Sequence, residues 1–588
     1  LPLSGQFVFK VTHLLVIFKR LNHPKMNTNF DAIVIGSGIS GGWAAKVLCE
    51  QGLKTCIVER GRNVEHTKDY PTALLHPWEF PHAGWMPKAF RDENPLITKA
   101  AGFGEDTAHF FIKDKDQPYV QKKPFDWIRG FQVGGKSLTW GRACQRWSQS
   151  EFESPSKYNY GIPWPVDYAE MAPWYHLVED FIGVCGNKDG LESMPDGEFL
   201  PPFEMNCVEQ HMSTALADRY PDRHLVHGRW AHLTEPKEHH LELGRGKCQA
   251  RNLCMRGCPF GAYFSSNSST IPSAQRTGNL SILSNAVVVK IIYDNQQKKA
   301  TGIEYIDAAT GSRQEIKASI IFVNASALNS NLILLNSTSD RFPNGLGNDH
   351  DVLGHYVGFH NYRGYTSGKF EGFKDTYVYG RNPSELILAN FRNVYKHDMP
   401  FVGGYTIFSG AYRSRNEEAP EDGPGIGAAY KEGLRLPGDW RAYMYMQGET
   451  IPKASNRVYL SDTEKDPWGI PQLVMDVNYD DNDELMVQDF LKESKTMLEV
   501  MGCSDIEQND SKQAPGLDIH EMGGCRMGED PKTSMLNKYN QLHLCQNVFV
   551  TDGACMTSTG NQSPSLLYMA FTARAATYAA EQFKAQSI

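Results

Sequence analysis

The sequence contains no uninterrupted apolar run of the about 18 residues that a bilayer-spanning helix needs. Its longest apolar stretch near the start, Phe7 to Phe18, is broken by Lys10, Thr12 and His13. No membrane span is therefore expected. Basic excess is also missing: 59 lysines and arginines against 68 aspartates and glutamates leave a net charge of −9. That balance carries no nucleic-acid footprint. Cysteine is sparse, and 12 thiols in 588 residues do not make a disulfide scaffold. Most, such as Cys49, Cys56 and Cys185, sit in apolar surroundings and read as small buried hydrophobes. Internal repeats and low-complexity tracts are absent. So are the basic start, clean apolar core and small-residue cleavage site of a secretory signal. Residues 1–25 are expected to be a non-native or leader segment, with Met26 as the natural start. Upstream translation and a degenerate signal or anchor are both open readings of them. The expected location is the cytoplasm or, by export with a partner subunit, the periplasm.

What is present begins with Asp31 to Gly61. Ala32 to Ile35 is a short apolar run suited to a buried parallel strand. It stops at Gly36-Ser37-Gly38-Ile39-Ser40-Gly41, and an Ala-rich helical segment follows. Gly36 allows the tight turn, Gly38 lets backbone approach a pyrophosphate, and Gly41 lets helix pack on strand. The helix start offers free N–H groups to phosphates. A second strand, Thr55 to Val58, ends in Glu59, whose carboxylate suits ribose hydroxyls. Strand, glycines, helix, strand and acid in this order predict a dinucleotide site.

A length of 588 residues predicts two or more lobes. Residues 61 to 130 are rich in proline and aromatics and read as long loops. Strands are expected over Ser281 to Ile292, Ala300 to Asp307 and Ser319 to Asn324, with a hairpin turn at Asp294-Asn295-Gln296. Helices are expected over Tyr168 to Cys185, Ala325 to Leu335, Asp483 to Met501 and Ser565 to Phe583. Alternating patterns such as Arg441 to Gln447 and Gln472 to Tyr479 predict an antiparallel sheet between about 345 and 515. The strand-like Asn547 to Val550, ending at Asp552-Gly553, returns the chain to a nucleotide-type pattern.

Four separated motifs now resemble the glucose–methanol–choline oxidoreductases. They are the glycine fingerprint with Glu59, Val133-Gly134-Gly135-Lys136-Ser137, the segment Ile320 to Ser337, and His520-Glu521-Met522-Gly523-Gly524-Cys525-Arg526-Met527-Gly528 followed by Val550-Thr551-Asp552-Gly553. Within the family the chain looks similar to the branch of bacterial glucoside 3-dehydrogenases and of fructose and gluconate dehydrogenase flavoprotein subunits. The resemblance implies an α/β fold, α+β overall: a Rossmann-like FAD-binding domain with an inserted substrate domain built on an antiparallel sheet. The expected division gives residues 26–150, 245–340 and 525–588 to FAD, and 151–244 and 341–524 to substrate. Cofactor contacts are expected from Gly36, Gly38, Ile39, Ser40, Gly41, Glu59 and Arg60. Gly134, Gly135, Ser137, Thr139, Val288, Asp552, Gly553 and Pro564 complete that set. Thr139 stands where some relatives carry a flavin-linking histidine, so noncovalent FAD is expected.

Oxidising an alcohol requires removing the O–H proton as hydride leaves carbon, and a near-neutral histidine suits that task. The family's base matches His520. Its second catalytic position aligns with Ser563, because this chain reads Gln562-Ser563-Pro564-Ser565 where relatives read Gln-Asn-Pro-Ser. Asn561 is the alternative, and the sequence leaves both open. Cys248, Cys254 and Cys258, with Pro259 after the last, resemble a run that binds a [3Fe-4S] cluster in related subunits. Zinc and a metal-free loop are the other readings. The expected substrate is a sugar or glycoside, oxidised at a secondary hydroxyl such as C3. A small subunit and a cytochrome c or quinone acceptor are the implied partners. An oxygen-using oxidase and a catalytically silent flavin-binding subunit are the rival functions.

Overall fold

The computed structural model describes residues 29–377, 385–415 and 427–588. The expected leader, residues 1–25, lies outside them. The strand Asn29–Ile35 runs parallel to Thr55–Val58 on one side and to Arg313–Val323 on the other. Its apolar residues Ala32 to Ile35 are buried on both faces, as the run of β-branched side chains requires. The sheet continues to Leu280–Leu283 beyond Thr55–Val58, and to Cys545–Val550 and Gln541–Leu542 beyond Arg313–Val323. Strands from the start, middle and end of the chain thus lie side by side. A hairpin, Ala286–Asp294 with Lys299–Asp307, joins through Arg313–Val323.

The single strand expected over Ser281 to Ile292 is two. The break falls at Asn285, which takes φ of 54° and donates its N–H to the carbonyl of Gly61 at 2.8 Å. Asparagine tolerates this left-handed turn. It lets the chain leave the parallel sheet and enter the hairpin.

Helix Ile39–Glu50 packs on this sheet, and the last helix, Ser565–Lys584, packs against it and against Tyr168–Ile182. Met171, Tyr175, Val178 and Ile182 of the latter join the same core. Residues 61 to 130 form short 3-10 turns, one six-residue helix and a two-residue strand, without a longer regular element.

The expected antiparallel sheet is present, with seven strands. Cys503–Asp510, Gly364–Phe370, Pro437–Glu449, Tyr405–Arg415, Leu386–Leu388 and Leu225–His227 follow in spatial order, and His360–Asn361 pairs beside Pro437–Glu449. Alternation divides its central strand. Ala442, Met444 and Met446 pack under helices Cys207–Arg219 and Asp481–Val500, while Tyr443, Tyr445 and Gln447 point the other way. A five-stranded sheet runs in the order Met522–Gly524, His355–Gly358, Arg457–Lys465, Pro471–Asp476 and Val120–Gln121. The architecture is α/β, α+β overall, with a Rossmann-like sheet and an antiparallel sheet facing one cavity. Among the described residues, no helix is long and apolar enough to cross a membrane.

Candidate active site

One cavity of about 1190 Å3 runs from the glycine turn to the antiparallel sheet. At one end the three fingerprint glycines do three different things. A Cβ on Gly36, whose φ is 95°, would meet the Asn324 carbonyl oxygen at 2.3 Å. A Cβ on Gly41 would meet the Gly36 carbonyl oxygen at 2.0 Å. A Cβ on Gly38 would meet nothing within 4 Å. The space above Gly38 is therefore cavity, directly at the start of the 12-residue helix Ile39–Glu50. No side chain caps that helix and its first turn holds no acid. Its free N–H groups and partial positive charge face the space unopposed.

The second glycine pair meets the first. Gly134 donates its N–H to the Ser37 hydroxyl at 2.9 Å. Ser37 in turn donates its hydroxyl to Glu59 at 2.5 Å. Gly61 also donates its N–H to Glu59, at 2.9 Å, so the carboxylate is held in place. Burial raises the Glu59 pKa, against the pull of the Ser37 and Gly61 bonds. Arg60 pairs with Asp466 at 3.3 Å. Asp552 accepts from the Ser330 hydroxyl at 2.6 Å and the Ala554 N–H at 3.0 Å. Of the expected cofactor residues, Gly36, Gly38, Ile39, Ser40, Glu59, Arg60, Gly135, Ser137, Thr139, Val288, Asp552 and Gly553 line the cavity. Gly41, Gly134 and Pro564 lie behind it, in helix packing, against Asn267 and at the last helix start.

The other end holds His520, whose pKa lies well below its ordinary value through burial, then through His360 and Lys136. The Nδ1 atoms of His520 and His360 are 2.9 Å apart. The Nε2 of His360 lies 3.1 Å from the Thr559 carbonyl and 3.0 Å from that of Gly560. Carbonyls only accept, so His360 carries its hydrogen on Nε2. Burial lowers the His360 pKa to about 4 and keeps the ring neutral. Its Nδ1 must then accept, and the His520 Nδ1–H must donate. The neutral His520 is left with a lone pair on Nε2. The residue before it, Ile519, holds φ of 63°. A β-branched side chain rarely adopts that conformation, which costs about 1–3 kcal/mol.

The two candidates for the second position are placed differently. Ser563 lines the cavity and donates to Gln447 Oε1 at 3.2 Å. Asn561 does not line it: its side-chain oxygen accepts from Thr406 at 2.9 Å and its carbonyl from Gln447 at 2.8 Å. Tyr362 also donates to Gln447 Oε1, and its ring centroid lies 6.0 Å from that of His520. His360, Tyr362 and Gln447 had no signal in the sequence. His360 and Gln447 lie in strands and Tyr362 in the short link after His360–Asn361, none of them in a motif, and sheet pairing brings them to the site.

The cysteines lie elsewhere. Cys248, Cys254 and Cys258 line a separate hollow of about 30 Å3 together with His232. Burial, above all, pushes the thiols of Cys248 and Cys254 up, and the neighbouring cysteines add to it. His232 is 1% exposed, and neither of its ring nitrogens has a hydrogen-bond partner among the described residues.

With this geometry described, comparison with known proteins fixes the family. The GMC oxidoreductase models match residues 30–360 and 452–572. The chain belongs to the GMC oxidoreductase family. Members bind FAD and oxidise alcohol or sugar groups, so this GMC oxidoreductase is an FAD-dependent enzyme of that kind. It is 27% identical to 2-methyl-1,2-propanediol dehydrogenase of Mycolicibacterium austroafricanum, covering 94% of this chain and 95% of that one. It is 26% identical to the fructose dehydrogenase large subunit of Gluconobacter japonicus, covering 93% and 97%. It is also 26% identical to paromamine 6'-oxidase of Streptomyces fradiae, covering 93% and 90%. Among solved structures, pyridoxine 4-oxidase from Mesorbium loti matches 94% of this GMC oxidoreductase and 99% of its own chain, with a TM-score of 0.56 at 16% identity. Formate oxidase of Aspergillus oryzae matches 95% and 99%, with a TM-score of 0.59 at 12% identity. The two structures show the fold alone.

Proposed function

We propose that this enzyme oxidises a secondary hydroxyl of a sugar or glycoside to a ketone, at C3 in the first instance. The observation that carries the reading is the free Nε2 lone pair of His520 at the cavity end opposite the phosphate-binding helix start. FAD, when bound, supplies a two-electron acceptor for the hydride that leaves the carbinol carbon. His520 takes the hydroxyl proton at Nε2, and His360 keeps the donor tautomer from forming there. Ser563, whose hydroxyl hydrogen goes to Gln447, offers an oxygen that can accept from a substrate hydroxyl. The fit to FAD rests on the unfilled space at Gly38 and the uncapped helix. Thr139 offers no histidyl attachment, which supports noncovalent binding. Preference for C3 follows from the chain's resemblance to the branch that contains the glucoside 3-dehydrogenases. As a working division we retain residues 26–150, 245–340 and 525–588 for cofactor and 151–244 and 341–524 for substrate.

We further infer that Cys248, Cys254 and Cys258 hold an iron–sulfur cluster. The orphaned His232 in the same buried hollow supports a group there that supplies its missing partner. Three soft thiolates suit iron, and such a cluster is a one-electron centre of the kind a cytochrome c partner requires. Relatives named as dehydrogenases and as oxidases share the alcohol-oxidising half of this chemistry.

Anaerobic addition of glycosides to the yellow holoprotein tests the reading. Flavin bleaching is expected, followed by slow recovery in air and rapid recovery with a cytochrome or quinone. Acid precipitation should release the flavin. No bleaching across glycosides and simple secondary alcohols would sink the assignment. Cys258→Ser should lower bound iron and sulfide and turnover with cytochrome, while sugar still bleaches flavin. Iron-free wild type, purified anaerobically and fully active with its acceptor, would remove the cluster.

A further inference from the structure

Beyond His520 the cavity continues over the antiparallel sheet, and there it holds a carboxylate that the oxidation does not use. Glu385 lines the cavity and accepts two phenolic hydrogens. Tyr443 donates to its Oε1 at 3.1 Å and Tyr445 to its Oε2 at 2.8 Å. Strand alternation puts both tyrosines on the cavity side of Pro437–Glu449. Gly410, opposite Tyr443 in the register, makes the room: a Cβ there would stand 2.9 Å from the Tyr443 hydroxyl. The backbone of Glu385 is held as well, since Trp230 Nε1 donates to its carbonyl at 3.2 Å. The phenols hold one carboxylate oxygen each, and the anchor holds the backbone. Together they fix a carboxylate's direction.

A carboxylate offers about four lone-pair sites, and the tyrosines use two. Beside it the sheet forms an aromatic shelf. Phe408 and Tyr445 lie 5.2 Å apart at 11°, and Tyr443 and Tyr445 6.3 Å apart at 7°. Arg142, 4% exposed, lines the same cavity, and its Nε has no partner among the described residues. An acceptor with two open valences, an unsatisfied donor and parallel apolar ring faces match the hydroxyls and C–H face of a sugar. An ammonium would meet Glu385 but also the Arg142 guanidinium. Tyr362 stands between Glu385's shelf and the base, with its ring 5.9 Å from Tyr445 and 6.0 Å from His520. The hydroxyls that meet Glu385 are thus not the one that loses its proton.

We propose that Glu385, oriented by Tyr443 and Tyr445 and opposed by Arg142, is a recognition subsite for two non-reacting hydroxyls of a polyhydroxylated ring. This rests on the alcohol-oxidising reading of the cavity and names what selects its substrate. Hydrogen bonds to a charged group in a dry site correspond to about 10- to 100-fold in affinity. The test is anaerobic stopped-flow reduction of the holoenzyme by methyl glucoside and, separately, by cyclohexanol. In Glu385→Ala the concentration giving half-maximal reduction by methyl glucoside should rise about 30-fold, with the limiting rate within threefold of wild type. The ratio of methyl glucoside to cyclohexanol efficiency should fall by tenfold or more. If Glu385→Ala does not accumulate as a flavoprotein, Tyr445→Phe is read instead, with a rise of fivefold or more expected. An unchanged half-saturation, or an equal loss for both alcohols, overturns the proposal. So does a loss at least tenfold larger for methyl glucosaminide than for methyl glucoside, which would mark an ammonium site. Failure of wild type to be reduced by either alcohol would instead overturn the parent reading.

Discussion

An imidazole acts as a base through one nitrogen only, and in His520, our proposed base, the choice falls on Nε2 because Nδ1 is engaged with His360 at 2.9 Å. Replacing His520 with alanine should leave flavin bound and slow its reduction by substrate about 100-fold or more. Replacing His360 with alanine should cost about 10- to 100-fold, as loss of an orienting partner does. The two are separated by pH. Burial, His360 and Lys136 hold the His520 pKa well below 6.5. The wild-type base is therefore neutral across physiological pH, and its reduction rate should fall only in acid. In His360→Ala the space left behind relieves the burial that chiefly lowers this pKa, so the acid limb should move toward 6.5. A profile identical to wild type would leave His360 a packing residue. His520 could be read from the sequence because glycines and Arg526 frame it in one contiguous loop. His360 could not, since it is 160 positions away and reaches its partner only when a two-residue strand pairs with Pro437–Glu449.

At the scale of an element, the glycine turn makes a prediction that sequence alone could not sharpen. The motif gives Gly38 and Gly41 different roles, and the distances make the difference testable: only Gly41 is crowded by the backbone. Gly38→Ala should fold with an unchanged apoprotein melting temperature and fail to hold FAD. Gly41→Ala should lower the melting temperature itself, because its Cβ would lie 2.0 Å from a carbonyl oxygen. Equal effects in both would contradict the division of roles. A second element-level effect concerns helix starts. Glu151 of Gln149–Lys157 and Asp483 of Asp481–Val500 close capping boxes while buried, and burial raises each pKa to about 8. Their folded values exceed the unfolded ones, so the proton they hold stabilises the fold below about pH 4. That contribution is lost as pH rises to about 8. The melting temperature should fall between about pH 5 and about pH 8. Glu151→Gln and Asp483→Asn, which keep an amide oxygen for the cap, should flatten the slope. An unaltered slope in both variants would count against it.

At the scale of the whole molecule, the proposed FAD site draws on the start, the middle and the end of the chain. The sheet that carries the fingerprint takes Cys545–Val550 as a parallel neighbour of Arg313–Val323, and Ser565–Lys584 seals the helix behind the glycines. The alternating and apolar runs made most of these elements legible. Their order in the sheet was less so, because strand order depends on packing between segments hundreds of residues apart. Phe571 tests how tightly the seal is coupled to the site. It is fully buried and its ring lies 5.9 Å from that of Trp164, which itself donates to Ser558 at 2.9 Å. That ties the last helix to the loop before it, where Thr559 and Gly560 hold His360. Phe571→Ala should cost about 3–5 kcal/mol, seen as a lower melting temperature of the apoprotein. The loss should reach FAD affinity and reduction rate too, since Trp164 and Ser558 link Phe571 to the loop that holds His360. A destabilised protein that binds FAD and is reduced like wild type would show that the helix stabilises the fold without shaping the site.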